Sequence, residues 1–413
     1  MKMSDEPIDD GWAESLGNVV TMQGRPVPGT QPLTIAAASL RPPQAIPPRE
    51  WLYGVLMLRR YLTVIVAPGG VGKTALAVGI GLSLASGRNL IGDHIHAQAN
   101  VLFCGLEDPE DEFDRRVAAF MTQQNMDETE LYGRVFYVNG RARRLVIASL
   151  DRHGSQIVYP DKDPLIAEIN TNNIGAVFVD PFVNSHELDE NDNPQINAAA
   201  RAWAEIGEQT GCSIVLVHHT RKGATAGDID ASRGASALVN AARVGLTMTA
   251  MTKEEAAQYS INLDERRRYV RLDDGKSNLS PPSDRARWFY LASVNLENGN
   301  PQYPNGDSVQ AITQWSPPDL FDQHLPATIN ACLDTIASGF SNGVMFAKTM
   351  KGSKDRWVGS VVMGALGCQD GKAKAIIAAW FKSGLLEEVE FRHPETRQMN
   401  KGVAVNDDHR PTE

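Results

Sequence analysis

From Trp51 onward the chain alternates short apolar runs with longer amphipathic ones. The runs 62–66, 101–106, 135–138, 174–180 and 213–217 are rich in β-branched residues and carry few charges. Such runs suit strands buried on both faces of a parallel sheet. Helical patterns fall between them, over 73–85, 109–123 and 193–209. Alternation of this kind predicts a doubly wound α/β domain. Three further strand-like runs, 244–250, 269–272 and 286–293, would extend the sheet on its far side.

Residues 321–408 have another texture. Leu325, Ile329, Cys332, Ile336 and Phe340 share one helical face, and Ala373, Ile376, Ile377, Trp380 and Phe381 share another. The second helix stops at Gly384, and two alternating segments, 386–391 and 402–405, flank a turn-rich stretch at 393–396. Helices followed by a hairpin predict a winged-helix-like module. The expected organisation is a Pro-rich tail or linker over 1–48, a P-loop domain over 49–320, the winged-helix-like domain over 321–408 and a tail over 409–413. Eight of the 23 prolines lie in the first 48 residues, which show no hydrophobic period.

Composition narrows the class. The 413 residues are 42% hydrophobic and 22% charged, which excludes a fully disordered, collagen-like or fibrous chain. No apolar run approaches the roughly 20 residues of a membrane span, and the start lacks a secretory pattern. Four separated cysteines, Cys104, Cys212, Cys332 and Cys368, show no metal-ligand spacing. A cytoplasmic location without membrane partners is the expectation. The net charge of −10 means that any nucleic-acid binding must use local basic surfaces.

The chemistry is concentrated at Ala67-Pro68-Gly69-Gly70-Val71-Gly72-Lys73-Thr74, set after a strand and before a helix. Glycines let backbone N–H groups curl around a phosphate, and the helix N-terminus adds positive potential. Pro68, Gly69, Gly70, Val71, Gly72, Lys73, Thr74 and Ala75 are the expected ATP contacts. Lys73 would reach the terminal phosphates and Thr74 would ligate Mg²⁺. Ala67 replaces the first glycine of GxxxxGK[ST] and fits if its φ is negative.

Other strand ends add polar groups. Asp180 closes the run 174–180 and is the second expected Mg²⁺ residue, although Asp-Pro also starts turns. Glu107 and Asp108 stand where a strand gives way to a helix. Glu107 is the candidate for orienting water, with Asp108 as helix N-cap. His218 and His219 end another strand, point to opposite faces, and either could sense a γ-phosphate. Arg243, Arg285 and Arg287 are candidates for a finger inserted into a neighbour's site. Loops around 221–234 and 273–287 carry Arg221, Lys222, Arg233 and Lys276, which would line the single-stranded DNA channel that the resemblance given below implies. Residues 346–382 hold seven Lys/Arg, among them Lys372 and Lys374 near the start of a helix able to enter a major groove.

Taken together, APGGVGKT (67–74), GLEDP (105–109), VFVDP (177–181), VHHTRK (217–222), SRGASAL (232–238) and KSN (276–278) resemble the RecA-like ATPases of the DnaB-like helicase superfamily. The nearest resemblance is to hexameric plasmid and phage RepA-type replicative helicases, over roughly 46–295. It implies a ring with ATP at each interface, a channel for single-stranded DNA, and a loader or primase as possible partner. It also implies that Lys73 and Thr74 bind phosphates and Mg²⁺, Glu107 activates water and Asp180 supports the metal. Asn278 stands where related helicases often place Arg, so no arginine finger matches unambiguously. The winged-helix-like tail is foreign to the minimal plasmid enzyme.

The main expectation is therefore an ATP-hydrolysing ring motor on single-stranded DNA. The alternative is a non-translocating P-loop ATPase that regulates or loads protein–DNA complexes through its winged helix. A partition-type switch carries Lys before the glycines, where this chain has Pro68. A small-molecule kinase would leave the tail and basic loops without a purpose.

Overall fold

The computed structural model describes residues 35, 37–38, 40–219, 235–259, 261–280, 286–318, 325–340, 342–351 and 354–411. The chain divides into two units, 1–49 and 50–413. The described residues of the first are exposed, with one short turn of helix at Pro43–Ala45; of the expected tail or linker over 1–48, residues 1–34, 36 and 39 lie outside the described residues.

The second unit is built on a nine-stranded sheet. Its strands are β1 (Leu62–Ala67), β2 (Asn100–Gly105), β3 (Val135–Asn139), β4 (Ile174–Asp180) and β5 (Ser213–His219), then β6 (Val244–Ala250), β7 (Tyr269–Ser277), β8 (Arg287–Asn295) and β9 (Ser308–Trp315). The spatial order is β9-β8-β7-β6-β1-β5-β4-β2-β3. The six from β6 to β3 run parallel, and β7, β8 and β9 add antiparallel to one side.

Successive residues of the parallel strands face opposite layers, as the pleat requires. Ile65, Phe103, Phe178 and Val217 face α1 (Lys73–Ser86) and α2 (Glu110–Gln123), whereas Val64, Leu102, Val179 and Leu216 face the other layer. That second layer holds α3 (Lys162–Thr171), α4 (Asn193–Thr210) and α5 (Ala235–Ala241), with Trp203 fully buried in it. Both faces are covered, which explains why these strands read as unbroken apolar runs.

Helix α6 (Lys253–Gln258) follows β6, capped by a reciprocal Thr252–Glu255 box. The last third contains α7 (Pro326–Ser338), α8 (Gly359–Leu366) and α9 (Asp370–Lys382), then the hairpin β10 (Leu386–Arg392) and β11 (Met399–Val405). These elements enclose their own apolar cluster around Cys332, Leu333, Val362, Ile376 and Trp380. The Phe346 carbonyl accepts from the Val403 N–H at 2.8 Å, adding a short extended piece to the hairpin.

Helix α9 packs against α6. A side chain on Gly371 would fall 2.6 Å from the Ala257 side chain and 2.8 Å from its backbone, so only glycine permits this approach. The contact corrects the expectation that the start of α9, with Lys372 and Lys374, is free for a major groove. Recognition helices read bases with their N-terminal residues, and here that end faces α6. Lys374 is also paired with Asp370 at 2.6 Å.

Candidate functional site: a phosphate loop at the sheet edge

Strand β1 delivers the chain into Pro68-Gly69-Gly70-Val71-Gly72 and then α1. Gly72 has φ +88°, and a Cβ there would lie 2.8 Å from a Leu291 methyl. Glycine is required on both counts. Ala67 remains an extended strand residue outside the positive-φ set, so the departure from the usual first glycine costs no backbone strain. The Lys73 Nζ donates to the Ala67 carbonyl at 3.1 Å and the Pro68 carbonyl at 2.8 Å, folding the side chain back along the loop. Burial lowers its pKa to about 8, against the opposing fields of Asp180 and Glu107.

Asp180 ends β4, two strands from β1. The Thr74 hydroxyl donates to its Oδ2 at 2.6 Å. Burial raises the Asp180 carboxyl above the ordinary range, opposed by that hydroxyl and by Lys73. A hydroxyl and a buried carboxylate are hard oxygen donors, as Mg²⁺ requires. Two protein ligands suit an ion that keeps several waters and takes substrate phosphates. No group of three or more His, Cys, Asp or Glu able to hold a metal occurs among the described residues.

A cleft of about 640 Å³ opens over these groups. Its lining includes Gly70, Gly72, Lys73, Thr74, Ala75, Glu107 and His219. The carboxyl ends of β1, β2, β4 and β5 thus converge, as ligand sites of open α/β sheets do. Burial lowers the His219 pKa, assisted by the Lys73 charge and opposed by Asp180 and Glu107, so the ring is neutral at pH 7. His218 turns to the opposite layer beside Phe182 and His186. Burial pushes its pKa down to about 4, and its Nδ1 finds no partner among the described residues. The two histidines are separated as the pleat demands, and only His219 lines the cleft.

Several expected site residues are placed elsewhere. Arg287 is held by Asp93 at 2.8 Å and Asp274 at 2.9 Å, which corrects its reading as a projecting finger. Arg243 precedes β6 at the sheet edge opposite the phosphate loop, in a groove with Arg60, Arg201 and Glu208. It therefore stands apart from its own chain's cleft. Lys276 belongs to β7 rather than a loop, and its Nζ donates to the carbonyls of Val239 and Asn240 at the end of α5. Asp108 is not an N-cap; it pairs with Arg116 at 2.7 Å, and Pro109 occupies the cap position. Arg221, Lys222, Arg233 and Arg285 lie outside the described residues.

The structure adds a wall that motif reading missed. Arg116 joins Asp108 and Glu112, Arg115 reaches Asp307 at 3.0 Å, and residues 307–310 close the far side of the cleft. The i,i+4 spacing of Glu112 and Arg116 was a local signal for the first pair. Nothing local links Arg115 to Asp307, 192 positions away.

Fold and site define an ATP-binding P-loop domain of RecA-like architecture: a phosphate loop after a central strand, flanking parallel strands, and an antiparallel extension on one side. A family model described as an AAA domain matches residues 31–225. A solved structure of a DnaB-like replicative helicase, described with its interactions with primase, is similar over 57% of this chain and 56% of its own, at 12% identity and a TM-score of 0.41. This chain thus spans little over half of that one. No helix among the described residues is long and apolar enough to cross a membrane.

Proposed function

We propose that the protein is an ATP-hydrolysing ring motor acting on single-stranded DNA, a replicative-type helicase of a plasmid, phage or other mobile element. The observation that carries the reading is the convergence of Lys73, Thr74, Glu107 and His219 on one cleft at the carboxyl edge of the sheet, with Asp180 bonded to the Thr74 hydroxyl beside it. Lys73 leaves its two carbonyls to meet the β- and γ-phosphates. Thr74 and Asp180 hold Mg²⁺, which supplies positive charge to the phosphates when bound. Glu107, exposed at the mouth, accepts a proton from the attacking water or orients it. Neutral His219 is placed to hydrogen-bond the γ-phosphate and to pass its loss to the residues that follow β5.

Each subunit's cleft is open on one side, so a neighbouring subunit in a hexamer would complete it with an arginine. Arg243 is exposed and has no ion partner among the described residues, which makes it the better candidate of those described. The last third is read as a winged helix: helix, short extended piece, two helices and a hairpin. Its docked α9 favours protein contact, for instance with a loader or primase, over base reading. That docking also supports the second reading, a non-translocating ATPase that loads or regulates protein–DNA complexes.

The test is steady-state ATP hydrolysis with and without single-stranded DNA, for the wild type, Lys73→Ala and Glu107→Gln. The motor reading expects stimulation by DNA and a loss of at least about 10²-fold in both variants. Hydrolysis that ignores DNA moves the protein to the loading or regulatory class.

A further inference from the structure

The motifs leave one basic segment unused: Gly140-Arg141-Ala142-Arg143-Arg144, three arginines in four residues of a chain with net charge −10. It follows β3, the outermost parallel strand, and so emerges at the same sheet edge as the phosphate loop. The turn is firmly built. The Asn139 side-chain carbonyl accepts from the N–H groups of Arg141 and Ala142, both at 3.1 Å. The Arg143 guanidinium is held by Asp161, whose other oxygen accepts from the Val146 N–H.

What this turn presents differs from what it uses to hold itself. Arg141 is exposed and, among the described residues, has neither ion pair nor side-chain hydrogen bond. Arg144 pairs with Glu187 at 2.6 Å yet remains 63% exposed. With Asn184 they border a cavity of about 320 Å³, floored by Leu106 and Leu145. Arginine forks with an amide beside them match the oxygens of a phosphodiester. The turn is also tied to the candidate catalytic loop, since the Gly140 N–H donates to the Gly105 carbonyl at 2.9 Å, two residues before Glu107.

We infer that Arg141 and Arg144 form a contact site for the phosphate backbone of single-stranded nucleic acid, and that its occupation stimulates hydrolysis through the Gly140–Gly105 link. The site rests on the reading of the protein as a nucleic-acid-stimulated ATPase and gives that reading a second, definite anchor. A backbone phosphate at Arg144 competes with Glu187 and fixes the turn against the strand end that carries Glu107. Sequence preference is not expected, because phosphate contacts position a strand without reading its bases.

The experiment uses the full chain and a fluorescein-labelled oligo(dT). Anisotropy is followed across a salt series, with ATP hydrolysis measured in parallel, for the wild type, Arg141→Glu, Arg141→Lys and Arg144→Ala. The expected result is at least fivefold weaker binding for Arg141→Glu. Loss of one contact should also shrink the slope of log affinity against log salt by about 0.7. Hydrolysis without oligo(dT) should be unchanged, stimulation should be lost, and Arg141→Lys should restore most of both. Thermal melting of the variants checks folding; it should be unchanged at Arg141, whose side chain has no partner among the described residues. If the wild type binds and is stimulated while Arg141→Glu behaves identically, this inference fails and the motor reading stands. If the wild type neither binds nor responds to oligo(dT), the motor reading fails and the site falls with it.

Discussion

The cleft and the C-terminal helices handle charge in opposite ways. Around the phosphate loop, Lys73 is buried and Asp180 half-buried, and both are displaced from their ordinary pKa values. In the C-terminal region several basic side chains sit outside and are satisfied locally. Lys374 pairs with Asp370 and Lys401 with Glu388, while Lys348 lies 4.2 Å from the Phe381 ring centre. Burying a charge is costly, so a fold that tolerates it without full pairing leaves room for a charged ligand. Exposed pairs hold little free energy and mark little. A count of lysines and arginines over 346–382 therefore overstates that surface as a DNA site.

The sharpest way to break this contrast is to remove one charge from each region. Asp180→Asn keeps the shape and removes the carboxylate beside Thr74, so ATP turnover should fall by at least about 10²-fold. Lys374→Ala loses a surface pair worth less than about 1 kcal/mol and should leave turnover close to that of the wild type. Steady-state hydrolysis of both variants decides it. Equal losses would mean that the C-terminal helices take part in the chemistry and that the division drawn between the two regions is wrong.

A smaller effect tests the docking of α9. Gly371→Val pushes a branched side chain into the backbone of Ala257, and overpacking of this kind costs about 1–3 kcal/mol. Denaturant melts should show that loss, and amide exchange over Lys253–Gln258 should quicken. If both stay unchanged while oligonucleotide binding also stays unchanged, α6 does not cover α9 in solution. If exchange quickens and DNA binding improves, Lys372 and Lys374 regain the role that their position near the start of α9 first implied.

The same contrast explains what was legible in the sequence. The phosphate loop, Asp180 and the two histidines could be read because each ends a run that is apolar on both faces, and the backbone alone then delivers them to one edge. Strand β7 continues past Leu272, where the sequence pattern ends it because Asp273-Asp274-Gly275 has turn chemistry. In the fold Arg271 and Arg287 neutralise those carboxylates and the strand runs on to Ser277. Helix α8 has a weak signal in the sequence because of Gly359 and Gly364, and packing around Val362 and Leu366 sustains it instead. Strand β9 hides in a half-exposed pattern. Arg287 looked like a free finger because its partners, Asp93 and Asp274, are remote in sequence. Long-range ion pairs have no local signature, and they decide which basic residues remain available.

The smallest expected effect concerns protons rather than side chains. In the nucleotide-free protein Lys73 titrates near pH 8, because burial outweighs its carboxylate neighbours. Triphosphate placed against its Nζ favours the charged form and raises that pKa. Below about pH 8 the lysine is charged with or without ATP, so binding there moves no proton on it. Above pH 8 the free protein holds neutral Lys73 and the complex holds the ammonium, so binding takes up a proton and affinity falls as pH rises. The limit is tenfold per pH unit, about 1.4 kcal/mol. The nucleotide's own terminal phosphate ionises near pH 6, as phosphomonoesters do, and His219 titrates below its usual range, so neither interferes at pH 9. Titration calorimetry with ATP at pH 9, in two buffers of different ionisation enthalpy, counts the protons directly. An uptake approaching one, absent in Lys73→Ala, places the buried lysine on the phosphates; no uptake in the wild type would mean that Lys73 stays with the carbonyls of Ala67 and Pro68 when nucleotide binds.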